Sequence, residues 1–472
     1  MKRSILCYSA LAIATGILAQ KEATTWYFGD LGEGLEFRKG CDPNVLTDGA
    51  IAGFEGVATI SDETTGELLF YTNSQNVWDR THQLMPNGGL ITMGWTITQV
   101  LPIRKPGSAS QYYIFTSEVQ GSGVHGIQFH CVDMTLNNGL GDVAYDSLAL
   151  NGPVSEKLTA IRHSNGTDLW VIAHGYGNDQ FYAFLVTSSG VQTAPVVSAI
   201  GKVHGDPSTV DALGELKANP QGDRLAVATT FQPHIELFDF DRSSGVVDNI
   251  RTLDAVGGYD GLNASGWYGV SFSQNGSKLY AASGFVLNQG IIQFDLTVDD
   301  VNVINASKYV VSSGLHGCYS LKLAPNGRIY VGRRLNFLGE IAYPDSAGSA
   351  CGFDPEAVVF AQLGSYSTWG LNNLMELEEY PCMGTDVGEH DRVKGNALVL
   401  GPNPASHDLN VFLGSEGLSW RIRIISELGT EVLTASGAGS KVILDVHDLA
   451  PGVYAVIAEQ DKRIRSCRFV KE

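Results

Sequence analysis

The chain contains the stretch Leu321-Lys322-Leu323-Ala324-Pro325-Asn326-Gly327-Arg328-Ile329-Tyr330-Val331. Two short runs rich in apolar residues flank an Asn-Gly pair, and apolar and polar residues alternate within the first run. Alternation with period two around an Asn-Gly turn predicts an antiparallel β-hairpin.

This hairpin pattern recurs through most of the chain. Its turn glycines are 41, 59, 56, 54 and 51 residues apart: Gly66, Gly107, Gly166, Gly222, Gly276 and Gly327. A second hairpin follows each copy, as in Ile235–Asp241 with its turn at Gly245. Two hairpins in about 50 residues make a four-stranded unit, and repetition at that period is typical of β-propeller blades.

Six such units are visible, and two unpaired segments remain at the ends of the repeat region. Trp26–Phe37 and Leu371–Tyr380 each contain strand-like residues without a complete second hairpin. We expect these segments to pair in one sheet and close the ring, because an open ring would leave unpaired strand edges. The predicted fold is therefore all-β: a seven-bladed β-propeller, with six blades as the alternative.

The two ends of the chain carry targeting features. Lys2-Arg3 followed by the apolar stretch Ile5–Leu18 predicts a secretory signal peptide over residues 1–19. The propeller is predicted over residues 20–380, and a polar, Gly-containing linker over residues 381–397. No later segment has 18 consecutive apolar residues, so we predict no transmembrane span.

The tail carries a sorting motif. Its residues are Pro402, Asn403, Pro404, Leu449, Gly452 and Tyr454, followed by a basic end from Arg465. Together they resemble the C-terminal sorting domain of proteins exported by the type IX secretion system of Bacteroidota. The resemblance implies a small Ig-like β-sandwich over residues 398–472, the secretion machinery as partner, and a destination at the cell surface or in the medium.

The repeat region also resembles a family. Stretches such as Trp26–Gly29, Leu69–Thr72, Tyr112–Thr116 and Glu236–Asp241 are similar to the N-terminal propeller of large, surface-associated Bacteroidota proteins. Those proteins often carry further adhesin-like domains before a sorting domain, whereas nothing intervenes here. The resemblance implies adhesion and WD-like repeats, and it supplies no catalytic residues.

Charge and motif spacing narrow the function classes. A formal net charge of −19 argues against nucleic acid as a partner, because phosphates are neutralised by Lys and Arg. No metal-ligand spacing is visible, and we predict no catalytic residue, metal or other cofactor. A channel-mouth site, were one present, would use the following residues: His163, His174, His204, His316, Asp211 and Glu215.

Aromatic residues beside Gly, Ser or Thr are the candidate ligand-binding residues, because exposed rings stack on sugars or hold a partner. They are Trp78, Trp95, Trp267, Tyr268 and Trp369. The alternative is that these rings pack between blades. Two functions follow: a non-catalytic surface propeller that binds an extracellular protein or glycan, or a secreted hydrolase or lactonase with its active site at the channel mouth.

Overall fold

A computed structural model provides the structure of the chain. It describes residues 21–37, 42–89, 91, 99–117, 126–205, 212–230, 232–254, 266–284, 289–315, 317–360, 366–376, 399–401, 405–412, 419–426, 430–439, 441–460 and 463–471. The chain forms two compact units, residues 1–384 and 385–472. The predicted signal peptide and the predicted linker lie outside the described residues.

The first unit is built almost entirely of short β-strands. Its strands are β1 Thr25–Phe28, β2 Glu33–Glu36, β3 Asn44–Leu46, β4 Ala58–Ser61, β5 Leu68–Thr72, β6 Val77–Asp79, β7 Val100–Arg104, β8 Gln111–Thr116, β9 Ile127–Asp133, β10 Asp142–Asn151, β11 Val154–Arg162, β12 Leu169–Gly175, β13 Asn178–Thr187, β14 Gly190–Val191, β15 Val196–His204, β16 Leu216–Ala218, β17 Arg224–Ala228, β18 His234–Phe240, β19 Val247–Asp254, β20 Trp267–Phe272, β21 Lys278–Ser283, β22 Gln289–Asp295, β23 Tyr309–Leu315, β24 Leu321–Leu323, β25 Ile329–Val331, β26 Phe337–Ile341 and β27 Phe353–Val359. One short helix, α1 (Val301–Ala306), and two 3₁₀ turns, Asn137–Gly139 and Gly348–Cys351, complete the described elements.

These strands form seven separate antiparallel sheets among the described residues. We number them in chain order: sheet 1 (β1–β3), sheet 2 (β4–β6), sheet 3 (β7–β10), sheet 4 (β11–β15), sheet 5 (β16–β19), sheet 6 (β20–β23) and sheet 7 (β24–β27). The six predicted hairpins coincide with the first two strands of sheets 2 to 7. Each turn glycine has a positive φ, 73° at Gly327 for example, a conformation that other residues rarely adopt.

Consecutive sheets pack face to face and share an apolar core. Between sheets 4 and 5, for example, Trp170 and Phe181 meet Phe238 and Phe240 in one buried cluster. The ring closes in the same way, because Trp26 and Phe28 of sheet 1 pack against Tyr330 and Phe360 beside sheet 7. Face-to-face burial around a closed ring is the architecture of a β-propeller.

The predicted closure by a shared sheet is wrong. Sheet 1 has the order β1-β2-β3, and residues 366–376 form no strand. The partner that sequence analysis missed is β3, which pairs Val45 with Leu35. A local hairpin satisfies the outer edge of β2, so no strand from the far end of the chain is needed there. Residues 377–380 lie outside the described residues.

The second unit is a small β-sandwich. Its strands are β28 Val399–Gly401, β29 Asp408–Phe412, β30 Ser419–Ser426, β31 Glu431–Ala438, β32 Lys441–Asp445, β33 Gly452–Gln460 and β34 Arg463–Lys471. One sheet has the order β28-β29-β32 and the other β31-β30-β33-β34. Trp420, Ile422, Ile424 and Val456 fill the core of this unit, and Arg421 and Arg423 alternate with the first three along β30, because successive side chains of a strand point to opposite faces.

Candidate functional site

Residues 366–376 run through the middle of the propeller. The backbone N–H of Asn373 donates to the Val57 carbonyl (3.0 Å), and its side-chain Nδ2 donates to the Val100 carbonyl (3.1 Å). Lys217 Nζ donates to Asn373 Oδ1 (3.1 Å). Val57, Val100 and Lys217 lie at the inner edges of sheets 2, 3 and 5, so a single residue that bonds to all three lies on the ring axis. We call residues 366–376 the axial segment.

Gly370 allows the axial segment to approach the ring closely. A Cβ at this position would lie 1.6 Å from the backbone oxygen of Glu55. The neighbouring Trp369 N–H donates to the Phe54 carbonyl (2.9 Å), and the Asn372 side chain accepts from the Thr59 N–H (2.6 Å). Only glycine fits at such a contact, because any side chain would displace the backbone.

Buried charged groups hold the far end of the axial segment. Lys322 Nζ donates to the Leu374 carbonyl (2.9 Å) and pairs with Glu376 Oε1 (2.7 Å). Burial lowers the pKa of Lys322, while the Glu376 carboxylate opposes that shift. A buried ammonium needs such partners, because an uncompensated buried charge is strongly destabilising.

The carboxylates near the other end of the axial segment also make hydrogen bonds within the protein interior. Glu215 Oε1 accepts from the Ser320 hydroxyl (2.6 Å), and its Oε2 accepts from the Val270 N–H (3.1 Å). The Tyr268 hydroxyl donates to Glu55. Burial raises the pKa of Glu55 well above its usual range, and the nearby Glu156 carboxylate raises it further. Glu215 is therefore a buried structural acceptor and not an open channel-mouth group.

The candidate histidines do not gather at one site. His163 lies in a surface turn, where its Nδ1 accepts from the Asn165 N–H (3.0 Å). His174 and His204 are buried between sheets 4 and 5, with ring centroids 4.0 Å apart. Asp211 and His316 lie outside the described residues. Among the residues that the structure describes, no group of three or more His, Cys, Asp or Glu side chains is arranged to hold a metal ion.

The buried histidines face several charged groups. His204 Nε2 lies 3.0 Å from Glu236 Oε2, and Lys202 Nζ lies 3.2 Å from His234 Nδ1. Burial lowers the pKa of His174 well below 6.5, and the neighbouring His204 lowers it further. Burial likewise lowers the pKa of His204, with a contribution from Lys157. Burial raises the pKa of Glu236.

These shifts predict a loss of stability in mild acid. His174 stays neutral in the folded chain but takes up a proton below about pH 6.5 when unfolded. Its contribution to the unfolding free energy therefore decreases as the pH falls through that value. Glu236 works in the opposite direction, so we compare slopes between variants. When the pH is lowered from 7.5 to 5.5, the unfolding free energy of the wild type should fall by about 1 kcal/mol more than that of His174→Phe, as measured by urea denaturation.

His447 provides the matched control for this experiment, because it lies in the second unit, where it pairs with Asp448, and not in the propeller. In His447→Gln, the unfolding transition of the propeller should keep its wild-type dependence on pH. If His174→Phe also follows the wild-type curve, the assignment to the buried pair is wrong.

The candidate aromatic residues have different environments. Trp267 is fully buried in the core that sheets 5 and 6 share, and Tyr268 is 1% exposed. The prediction that these two rings present a face to a ligand is wrong, because neighbouring sheets need large side chains between them. Trp78 is half-buried and stacked on Tyr71, with ring centroids 5.5 Å apart. Trp95 lies outside the described residues.

Trp369 forms part of an aromatic group beside a surface recess. Its ring is half-buried, stacks on Tyr319 (5.1 Å between centroids) and touches Phe54 (4.5 Å). The recess next to it has a volume of about 660 Å³. It is lined by Asp30, Ala52, Gly53, Phe54, Arg334, Tyr366 and Thr368. A volume of this size lies within the range of roughly 300–1,000 Å³ that is typical of ligand sites.

Two residues of this recess have unusual backbone conformations. Arg334 has φ 48° and Thr368 has φ 52°, the left-handed region that a β-branched residue rarely enters. The Thr368 hydroxyl donates to the Gly53 carbonyl (3.0 Å), and the Tyr366 N–H donates to Asp30 Oδ1 (3.1 Å). Strain of this kind is concentrated at functional sites, where the surrounding structure maintains it.

Most residues of the recess were not among the candidates predicted from the sequence. Phe54, Tyr366 and Asp30 belong to no recognisable motif, and they are brought together by ring closure. The sequence signal that could have found it is the pair Arg333-Arg334, two cations that follow β25 after Gly332 in a strongly acidic chain.

The sorting-motif residues of the tail shape one turn. Tyr454 is buried, its hydroxyl donates to the Ala450 carbonyl (2.8 Å), and its ring stacks on Phe469. Leu449 packs against the core of the second unit, and Gly452 begins β33. These three residues therefore fix the entry into β33. Pro402, Asn403 and Pro404 lie outside the described residues.

Comparison with known families identifies the tail. Residues 400–472 match the family described as the secretion system C-terminal sorting domain. The chain therefore carries a type IX sorting signal, which implies interaction with the secretion machinery and export to the cell surface or the extracellular space. No curated protein matches the chain. Among the described residues, no helix is long and apolar enough to cross a membrane.

Solved structures resemble the chain in fold. The periplasmic gluconolactonase of Pseudomonas aeruginosa is 12% identical with a TM-score of 0.44, and the match covers 74% of this chain and 97% of that chain. The β-propeller domain of Cps50 (Swd1) from Myceliophteria thermophila is 11% identical, with a TM-score of 0.37 and coverage of 66% and 94%. PorZ of Porphyromonas gingivalis, a surface component of the type IX secretion system, is 11% identical, with a TM-score of 0.31 and coverage of 93% and 68%. At these identities and TM-scores, the likeness carries no argument about activity.

Proposed function

We propose that the exported propeller is a non-catalytic binding module that holds an extracellular protein or glycan in the recess beside Trp369. We also propose the domain organisation inferred from the sequence: a signal peptide (1–19), propeller (20–380), linker (381–397) and sorting domain (398–472). The binding proposal rests on the recess itself. Half-buried and exposed aromatic rings lie there beside the Arg334 cation and the strained backbone of Arg334 and Thr368.

The recess has the composition of a recognition surface. Tyr366 is 44% exposed, Phe54 is half-buried, and both line the cavity. Aromatic rings contribute large contact area at low conformational cost, and they stack on sugar rings and on partner side chains alike. Asp30 and Arg334 add polar groups of opposite charge to the rim.

The axis of the propeller supports binding over catalysis. The hydrolase or lactonase alternative places acid–base groups over an open channel. Here Asn372 and Asn373 fill the axis with hydrogen bonds to the inner strands. Glu215, the candidate carboxylate, accepts bonds from Ser320 and Val270 in the protein interior. The Glu215 carboxylate is thus engaged in hydrogen bonds within the fold, which supports a structural role for this residue.

Substitution of Tyr366 tests the proposed site. Tyr366→Ala removes an exposed ring whose described polar contact is made by its backbone, so the fold should be unaffected. We expect about ten-fold weaker binding to whichever glycan or surface protein the wild-type chain captures on a glycan array or on intact cells, a loss of about 1.4 kcal/mol.

Tyr343→Ala is the matched control, because Tyr343 is 54% exposed and does not line the recess. This variant should bind like the wild type. Equal binding by wild type and Tyr366→Ala would place the ligand elsewhere and contradict the proposal.

A further inference from the structure

We propose that the ligand of the recess is an acidic glycan, a sugar ring that carries a carboxylate bound by Arg334. This inference rests on the proposed binding function and specifies its ligand.

Arg334 is held in place by aromatic rings. Its guanidinium carbon lies 5.5 Å from the centroid of the Phe54 ring and 5.7 Å from that of Trp369. Stacking on two rings orients a guanidinium and leaves its N–H edge available for a planar anion. Bidentate contact with a carboxylate is the interaction that this geometry favours.

The charge of Arg334 is not neutralised within the described structure. The side chain is exposed, and no described carboxylate lies within 4.0 Å of it, although the chain carries 50 Asp and Glu residues against 31 Lys and Arg. Other described arginines of the propeller, such as Arg251 and Arg328, pair with carboxylates. In a chain of net negative charge, the stacked and unneutralised Arg334 is therefore a local group that attracts an anion to the recess.

The remaining lining groups suit a sugar ring. Tyr366 and Phe54 offer ring faces for stacking, and Asp30 offers a carboxylate oxygen as an acceptor for hydroxyl groups. Asp30 and Arg334 make no ion pair among the described residues. The recess therefore presents a cation at one end and a hydrogen-bond acceptor at the other. A carboxylate-bearing sugar matches both ends, and a neutral sugar matches only one.

The backbone conformation of Arg334 allows a substitution that removes the cation alone. Because φ is 48° there, asparagine is tolerated better than most residues, so Arg334→Asn removes the cation without adding backbone strain. Arg80→Asn is the matched control, because Arg80 is exposed and does not line the recess.

The experiment uses the purified whole chain and isothermal titration calorimetry. Its probes are oligosaccharides of galacturonic, glucuronic and sialic acid, each paired with its carboxyl methyl ester. At least one acidic form should bind ten-fold or more tightly than its ester. Arg334→Asn should abolish that difference, Arg334→Lys should reduce it, and Arg80→Asn should preserve it.

The contradicting outcomes are distinguishable. If acid and ester bind equally, or no probe binds while Tyr366→Ala still abolishes capture of a protein, the acidic-glycan inference is overturned and the binding function stands. If Tyr366→Ala and Arg334→Asn both leave all binding unchanged, the inference and the proposed function fail together.

Discussion

Removal of residues 400–472 is expected to reduce the amount of protein at the cell surface and in the medium to background. These residues form the sorting domain, a β-sandwich with its own core around Trp420 and Ile422. The predicted signal peptide should still deliver the chain across the inner membrane, so the truncated protein should accumulate in the periplasm. Immunoblots of the periplasmic, surface and medium fractions measure this effect.

Two controls accompany the truncation. Ile443→Ser changes a tail residue that is 59% exposed and should leave export unchanged, because it alters neither the core nor the described motif residues. The truncated propeller should keep its unfolding midpoint, as the separation into two compact units implies. Normal amounts of truncated protein outside the cell would contradict the role of the tail.

Asn373→Ala is expected to destabilise the whole propeller by about 3 to 5 kcal/mol. The substitution leaves the Val100 carbonyl without its Asn373 donor and removes one acceptor from the buried Lys217 ammonium, which keeps Glu215 Oε1 at 3.5 Å. An orphaned buried polar group costs about 1–3 kcal/mol, and a buried charge that loses a partner costs more. Because Asn373 contacts several sheets, unfolding should be one transition at lower denaturant, as monitored by tryptophan fluorescence.

Asn302→Ala is the matched control, because Asn302 is exposed on α1 and its side chain makes no hydrogen bond among the described residues. Its unfolding free energy should change by less than about 0.5 kcal/mol. A stability of Asn373→Ala within 1 kcal/mol of the wild type would show that the axial segment does not hold the ring together.

Hairpins and domain types could be predicted because their signals are local. Asn326-Gly327 determines a turn through a backbone conformation that few residues adopt, and Leu321 and Leu323 bury the same face of a strand. Six repeats of that pattern then imply stacked sheets, since one sheet cannot bury its apolar faces alone. The tail was predicted from the resemblance of its motif residues to a known sorting domain, a signal that is also confined to a short part of the chain.

The route of residues 366–376 could not be predicted from local pattern. Leu371 to Leu377 looks like an edge strand by composition, yet Asn372 and Asn373 bond to the inner edges of several sheets. Whether such a segment pairs laterally or fills an axis depends on the space that the assembled ring leaves. That space is created by residues hundreds of positions away.

For the candidate site, too, some features follow from local sequence and others depend on the assembled ring. Aromatic composition made Trp369 a candidate, but the burial of Trp267 and the half-exposure of Tyr366 depend on which faces the neighbouring sheets cover. Phe54 and Arg334 are 280 positions apart in sequence, and they meet because sheet 1 packs against sheet 7. Turns and strands follow from short-range sterics and periodicity, and the export signal is recognisable from a motif that resembles a known family. The recess, its unpaired cation and the filled axis arise only when the ring closes.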